Sequence, residues 1–292
     1  MVEIENDWLK VTIKNDGAEV CKVQHKENGL NYMWTGDSAY WGRVSPVLFP
    51  IVGRLKGDRY MVEGQTYHMS QHGFLRDVRF SVASQTKDRV SFLFESAGNF
   101  KNIYPYEFKV LIHYILQKNV LTVTWEIIND NEGEMYFSIG AHPAFKIPLL
   151  EEETIENYSL KFFPAKNKHV MEYELKESLL LEKGPADDVE AIQLCPSLFV
   201  NDALIYSNID RITLTSNITN CGVDVMLKDF PFVGIWSKYE ETDGSLAPFV
   251  CIEPWYGIAD RQDSTGKLKE KFGVNRLAQE DKFRAQYSIR FI

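Results

Sequence analysis

Two residues in this sequence are placed to move protons. His142 stands directly before a proline in "SIGAHPAF" (138–145), and Glu253 is delivered by an apolar run straight into Pro254 and Trp255 in "APFVCIEPWYGIAD" (247–260). Histidine titrates near neutrality and so serves as a proton donor or acceptor. Pro143 biases His142 toward extended backbone and removes a ladder donor just after it, which fixes the imidazole at a strand's end. A carboxylate against an aromatic wall has its pKa raised by burial or lowered by a nearby arginine, and either tunes a base. The plain alternative for His142 is a hydrogen-bonded structural histidine.

Two earlier stretches of the chain carry polar groups suited to holding a hydroxylated or anionic ligand. Arg54 follows an apolar run and Gly53 in "SPVLFPIVGRLKGDRY" (45–60), where its guanidinium offers a fork of donors for hydroxyls, carboxylate or phosphate, or else is a surface arginine beside a turn. Gln71, His72 and Arg76 surround a Gly-Phe in "MSQHGFLRDVRF" (69–80), which reads as a ligand-facing loop or as a solvated turn. Trp236, Trp255, Tyr256 and Phe145 are flat faces suited to the apolar side of a pyranose, or else core residues.

The elements that must position these groups are strands. Alternating runs at 8–15, 89–96, 106–116, 119–128, 211–217, 232–238 and 285–292 have a period of two and are rich in β-branched and aromatic residues. "HYILQKNVLTVTWEI" predicts a hairpin turning at Lys118–Asn119. Long amphipathic helices are lacking, so the expected fold class is all-β, a large antiparallel β-sandwich. The stretch 150–190 is the least regular and is expected to hold a short helix or an excursion from the sheets. Strand-like segments lie on both sides of it without a Gly/Ser- or Pro-rich linker, so 1–292 reads as one domain.

Composition narrows the function classes. The 292 residues are 45% hydrophobic and 25% charged, an ordinary soluble globular composition. A net charge of −9 argues against a nucleic-acid backbone or an anionic membrane as the main partner, and any anionic ligand needs a local basic pocket. The N-terminus lacks a signal-peptide layout, and no run approaches the roughly 20 apolar residues of a membrane span. Cys21, Cys195, Cys221 and Cys251 form no Cys-x-x-Cys pair, so zinc and redox motifs are absent. They read as reduced, mostly buried thiols of a cytoplasmic protein.

"FPIVGR", "QHGFLR", "GAHPAF", "NDALIY" and "CIEPWYGIAD" follow one another in the order of the site motifs of aldose 1-epimerases. Together they resemble that superfamily, also called galactose mutarotases, and in particular its LacX-type and hexose-6-phosphate mutarotase-like branches. The resemblance implies a β-supersandwich with one open site on a concave sheet, acting on a sugar or sugar phosphate with no metal and no redox cofactor, as a monomer or homodimer. It implies that His142 is the general acid and Glu253 the general base. It further implies that Arg54, Gln71, His72 and Arg76 contact substrate, that Asp202 of "NDALIY" holds sugar hydroxyls, and that Trp255 lines the site. "QHGFLR" and "HPAF" depart from the classical galactose mutarotases, which leaves the sugar open. The paired Arg54 and Arg76 resemble the phosphate-holding arginines of the hexose-6-phosphate branch. A non-catalytic sugar-binding or sensing protein is the alternative, although binding alone needs neither an acid nor a base. A glycosidase is disfavoured because that chemistry usually pairs two carboxylates.

Overall fold

The computed structural model describes residues 1–292, and strands build almost all of it. The period-two runs become strands within a few residues of their expected ends: Leu9–Ile13, Arg89–Glu95, Phe108–Gln117, Val120–Asn129, Ile209–Ser216, Phe232–Trp236 and Lys282–Phe291. Phe108–Gln117 alternates buried and solvated positions along its length, which is what one face on a core and one toward solvent requires. The Lys118–Asn119 turn joins it to Val120–Asn129 with Gln117 opposite Val120, and Lys118 takes the positive φ of 53° that so tight a connection needs.

Two large antiparallel sheets face each other. The nine-stranded sheet runs from Ala191–Gln193 at one edge, through Lys282–Phe291 at its centre, to Ser81–Gln85 at the other. The eight-stranded sheet runs Leu179–Pro185, Met171–Lys176, Leu204–Ser207, Phe232–Trp236, Phe249–Tyr256, Ile139–Ala141 and Val47–Leu48, with Ala144–Lys146 also paired to Phe249–Tyr256. A cluster of 66 buried residues fills the space between them, drawing on the chain from Val2 to Phe291. This is the β-sandwich the alternation predicts.

Two expectations are corrected. The 150–190 stretch holds no α-helix: a 3-10 turn at Ile155–Asn157 leads into Tyr158–Pro164 of the nine-stranded sheet, and Met171–Lys176 and Leu179–Pro185 form a hairpin in the other sheet. The helix-like "LKESLLLEK" fails to coil because Glu177 and Ser178, at φ 54° and 65°, make a tight turn that reverses the chain there. The thiols are less buried than expected, since only Cys251 is fully buried while Cys21, Cys195 and Cys221 are half-buried. No helix is long and apolar enough to cross a membrane.

Phe249–Tyr256 is the strand that builds the floor of a site. Seven of its eight residues are buried, unlike the half-solvated outer strands. Val250 and Ile252 point into the main core, while Cys251, Glu253 and Trp255 point to the sheet's opposite face. Residues that cover this second face therefore enclose a cleft.

Candidate active site

His142 and Glu253 meet on that second face because the register brings them together. Gly140 pairs with Trp255 and Ala144 with Cys251, so the intervening His142 stands across from Glu253. His142 Nε2 lies 3.3 Å from Glu253 Oε1. Both residues are buried, and His142 Nδ1 and Glu253 Oε2 have no hydrogen-bond partner. The indole N–H of Trp255 favours the ionised carboxylate from nearby without aligning into a hydrogen bond, and Trp255 Nε1 is likewise unpartnered.

Trp255 fits because the adjoining strands carry glycine. A Cβ at Gly234 would stand 2.3 Å from the Trp255 ring, and one at Gly140 would stand 2.7 Å from it. Neither glycine has a positive φ to explain it; the need is space for an indole lying across the sheet. The cleft over this floor is lined by Gly53, Gln71, His72, His142, Leu175, Ala203, Ile205, Trp236, Glu253, Trp255, Ile258 and Ala259, and encloses about 390 Å³ including its open mouth.

Burial dominates the electrostatics. It pushes Glu253 well above the usual carboxylate range, and the charge of Asp202 adds to the effect. It pushes His142 down to about 3, helped by the guanidiniums of Arg76 and Arg43. Each charged form meets a like charge as well as a desolvation penalty, so in the free protein the pair holds a single proton, on the carboxyl. His72 is also pushed far down, by burial first and then by His142, Arg76 and Arg43. Its Nδ1 accepts the Gly53 N–H at 3.1 Å, which puts the ring proton on Nε2 and makes that atom a donor. Its ring packs edge-on against His142 with centroids 5.6 Å apart.

The other expected residues divide into two groups. Gln71, His72 and Trp255 line the cleft, and Asp202 is close enough to act on Glu253. Asp202 is exposed at the rim, yet surrounding protein raises its carboxyl above the ordinary value. Arg76 donates to the Gln71 carbonyl at 2.9 Å, and its buried Nε makes no hydrogen bond but stands 3.8 Å from the Asp77 carboxylate. Arg54 lies apart: it is locked in a bidentate pair with Asp58 at 2.7 and 2.8 Å, in a neighbouring open depression with His68 and Ser70. Among the aromatic candidates, Trp236 reaches the cleft, whereas Phe145 is in the main core and Tyr256 packs against Phe230 and Phe283.

Sequence reasoning missed Trp41 and Arg43. The Trp41 ring lies over His142 with centroids 4.7 Å apart, and Arg43 bonds Asp77 at 2.8 Å while acting on both histidines. The signal was "YWGR" at 40–43, an aromatic and a cation in a stretch without strand periodicity. Also missed was the buried Lys271, which donates to the Ile258 carbonyl and sits 3.3 Å from Asp260, whose other oxygen accepts the Lys56 N–H. This pair ties the Gly53–Lys56 wall to the Ile258–Asp260 wall.

An all-β sandwich whose open sheet face carries a buried imidazole–carboxyl pair has the architecture of the galactose mutarotase-like proteins. Residues 1–263 match aldose 1-epimerase, and the chain belongs to that family. It is 28% identical over 302 residues to the chromosomal protein LacX of Lactococcus lactis subsp. lactis, covering 100% of this chain and 99% of that protein. A solved galactose mutarotase related enzyme from Lactobacillus acidophilus is 36% identical with a TM-score of 0.94, covering 100% of this chain and 97% of that one. A galactose mutarotase-like protein from Lactobacillus casei ATCC 334 is 28% identical with a TM-score of 0.90, covering both chains fully.

Proposed function

We propose that the protein is a cofactor-independent aldose 1-epimerase that interconverts the α and β anomers of an aldohexose or its 6-phosphate. The observation that carries the reading is the His142–Glu253 pair, 3.3 Å apart and buried at the floor of an aromatic-walled cleft in a chain of this family. Treating 1–292 as one aldose 1-epimerase-like domain is part of the reading, supported by a core that draws on both ends of the chain.

The chemistry needs one group to take a proton and another to give one. Glu253 takes the proton of the C1 hydroxyl while His142 protonates the ring oxygen; the C1–O5 bond breaks as the C1 carbonyl forms. Rotation about C1–C2 and reclosure with the roles reversed gives the other anomer, with no bond to the protein at any stage. The resting proton sits on Glu253, so it must first cross to His142. A sugar hydroxyl donating to the unpartnered Oε2 stabilises the carboxylate and drives that transfer. His72 Nε2–H, Gln71 and Asp202 are suited to fixing the ring hydroxyls, and Trp236 to facing the ring's apolar side.

The cations nearest the histidines are Arg43 and Arg76, so a 6-phosphate would meet these two and not the Arg54–Arg76 pair. Arg54 is held by Asp58 in the neighbouring depression, outside the lining of the cleft. Anomer-exchange NMR with catalytic amounts of protein, run over free and 6-phosphorylated aldoses, tests the reading. Accelerated exchange with at least one sugar supports it. Binding without acceleration for any of them would make this a sugar-binding protein instead.

A further inference from the structure

The face that carries the acid–base pair also carries a thiol. Cys251 and Glu253 are two residues apart on one strand and so share a face, and His142 lies across from them. Their ligand atoms, a sulfur, a carboxylate oxygen and an imidazole nitrogen, all fall within 4.8 Å of one another, and all three residues are buried. We propose that His142, Cys251 and Glu253 form a binding site for a zinc-like divalent cation, and that the bound ion blocks the acid–base pair. The blocking half rests on the epimerase reading; the binding half does not.

The geometry is close to what such an ion needs. Zn–N and Zn–O bonds of about 2.1 Å at a tetrahedral angle put nitrogen and oxygen about 3.4 Å apart, and His142 Nε2 and Glu253 Oε1 stand 3.3 Å apart. A Zn–S bond of about 2.3 Å asks for sulfur about 3.6 Å from each, a closure of at most about 1.2 Å that side-chain torsion supplies. Charge favours occupation too. Glu253 faces the neutral His142 and has no lysine or arginine partner, and a divalent ion offsets a carboxylate and a thiolate together. Binding releases two protons to solvent, one from the Cys251 thiol and one from the Glu253 carboxyl, and uses the Nε2 lone pair of neutral His142. One thiolate, one imidazole and one carboxylate suit Zn²⁺ or Co²⁺, whereas Mg²⁺ and Ca²⁺ prefer all-oxygen shells. The way in is the cleft, where Trp236 is only half-buried.

Co²⁺ titration of the full-length protein reads the site directly, because a thiolate on tetrahedral cobalt gives a charge-transfer band. The expected result is a one-to-one titration with that band, reversed by Zn²⁺ but not by Mg²⁺, and retained when Cys21, Cys195 and Cys221 are all serine. Cys251→Ser and Cys251→Ala should each abolish the band. Losing a second-shell partner weakens metal sites about 10–100-fold, so His142→Asn and Glu253→Gln, which remove ligands, should weaken cobalt binding at least as much. No band in the wild type, or equal cobalt affinity in both Cys251 variants and the wild type, overturns the site. For the blocking half, the wild-type exchange rate should fall at least tenfold in Zn²⁺ and return on chelation, while the ratio of rates with and without Zn²⁺ stays near one in Cys251→Ser. Metal binding that leaves wild-type exchange unchanged overturns that half alone, and a protein inactive on every sugar still answers the binding half.

Discussion

Replacing Glu253 with glutamine should stabilise the protein, and increasingly so as pH rises. Burial raises the folded-state value of this carboxyl well above the ordinary 4.5. Between those two values the unfolded chain has given up the proton and the folded chain keeps it, so the folded state binds more protons and stability falls as pH rises. The loss is about 1.4 kcal/mol per pH unit until the folded-state value is reached. An unfolding entropy of about 2.1 cal/mol/K per residue gives roughly 0.6 kcal/mol/K for this chain, so each pH unit should move Tm by about 2 °C. Glutamine keeps the shape and carries no titrating proton. His142 is pushed the other way, and its contribution is lost as pH falls below 6.5, but both proteins share it, so the difference between them isolates Glu253. Melting curves of the two proteins from pH 5 upward provide the assay, with the variant's Tm advantage widening by about 2 °C per unit. Parallel curves would refute the neutral, buried carboxyl.

The same electrostatics predict that kcat/KM, measured on whichever sugar is turned over, shows no acid limb near 6.5. The one-proton pair persists until His142 gains a second proton, and burial has moved that event down to about 3. Arg54→Ala should leave KM within about twofold for free and phosphorylated sugars alike, because Asp58 already engages that guanidinium. If a 6-phosphate is a substrate, Arg76→Ala should raise its KM by about 10-fold or more, the worth of a charge-assisted hydrogen bond at about 1.5–3 kcal/mol, with less effect on the free sugar. Lys271→Met should cost about 3–5 kcal/mol and lower Tm by about 5–8 °C, because it leaves the buried Asp260 without its cation; differential scanning calorimetry checks it.

The all-β fold was legible because its strands are long and half-solvated, so period-two alternation survives in runs such as "RVSFLFES" and "NVLTVTWEII". It was illegible in "ELKESLLLEK", where three leucines in a row carry no period and the turn residues are a glutamate and a serine in place of glycine or asparagine. His142 and Glu253 stood out because proline and tryptophan beside them are local marks of a strand end and an aromatic wall. That they face each other could not be read locally, since it depends on the register that sets Gly140 against Trp255. Arg54 shows the opposite limit. Its run of neighbours suggested a ligand contact, and the partner that ties it down, Asp58, was four residues away in the same sequence. Trp41 and Arg43 lie in an irregular segment whose packing over His142 no periodicity announces.

In the proposed reaction Glu253 and His142 exchange protons with a bound sugar to open its ring. The most direct test is anomer-exchange NMR on the best aldose substrate with wild type, Glu253→Gln and His142→Asn, alongside sugar binding by calorimetry. Each variant should lose at least about 100-fold in exchange rate, the usual scale of general acid–base catalysis, while Glu253→Gln still binds the sugar. Near wild-type exchange in both variants would contradict that reaction.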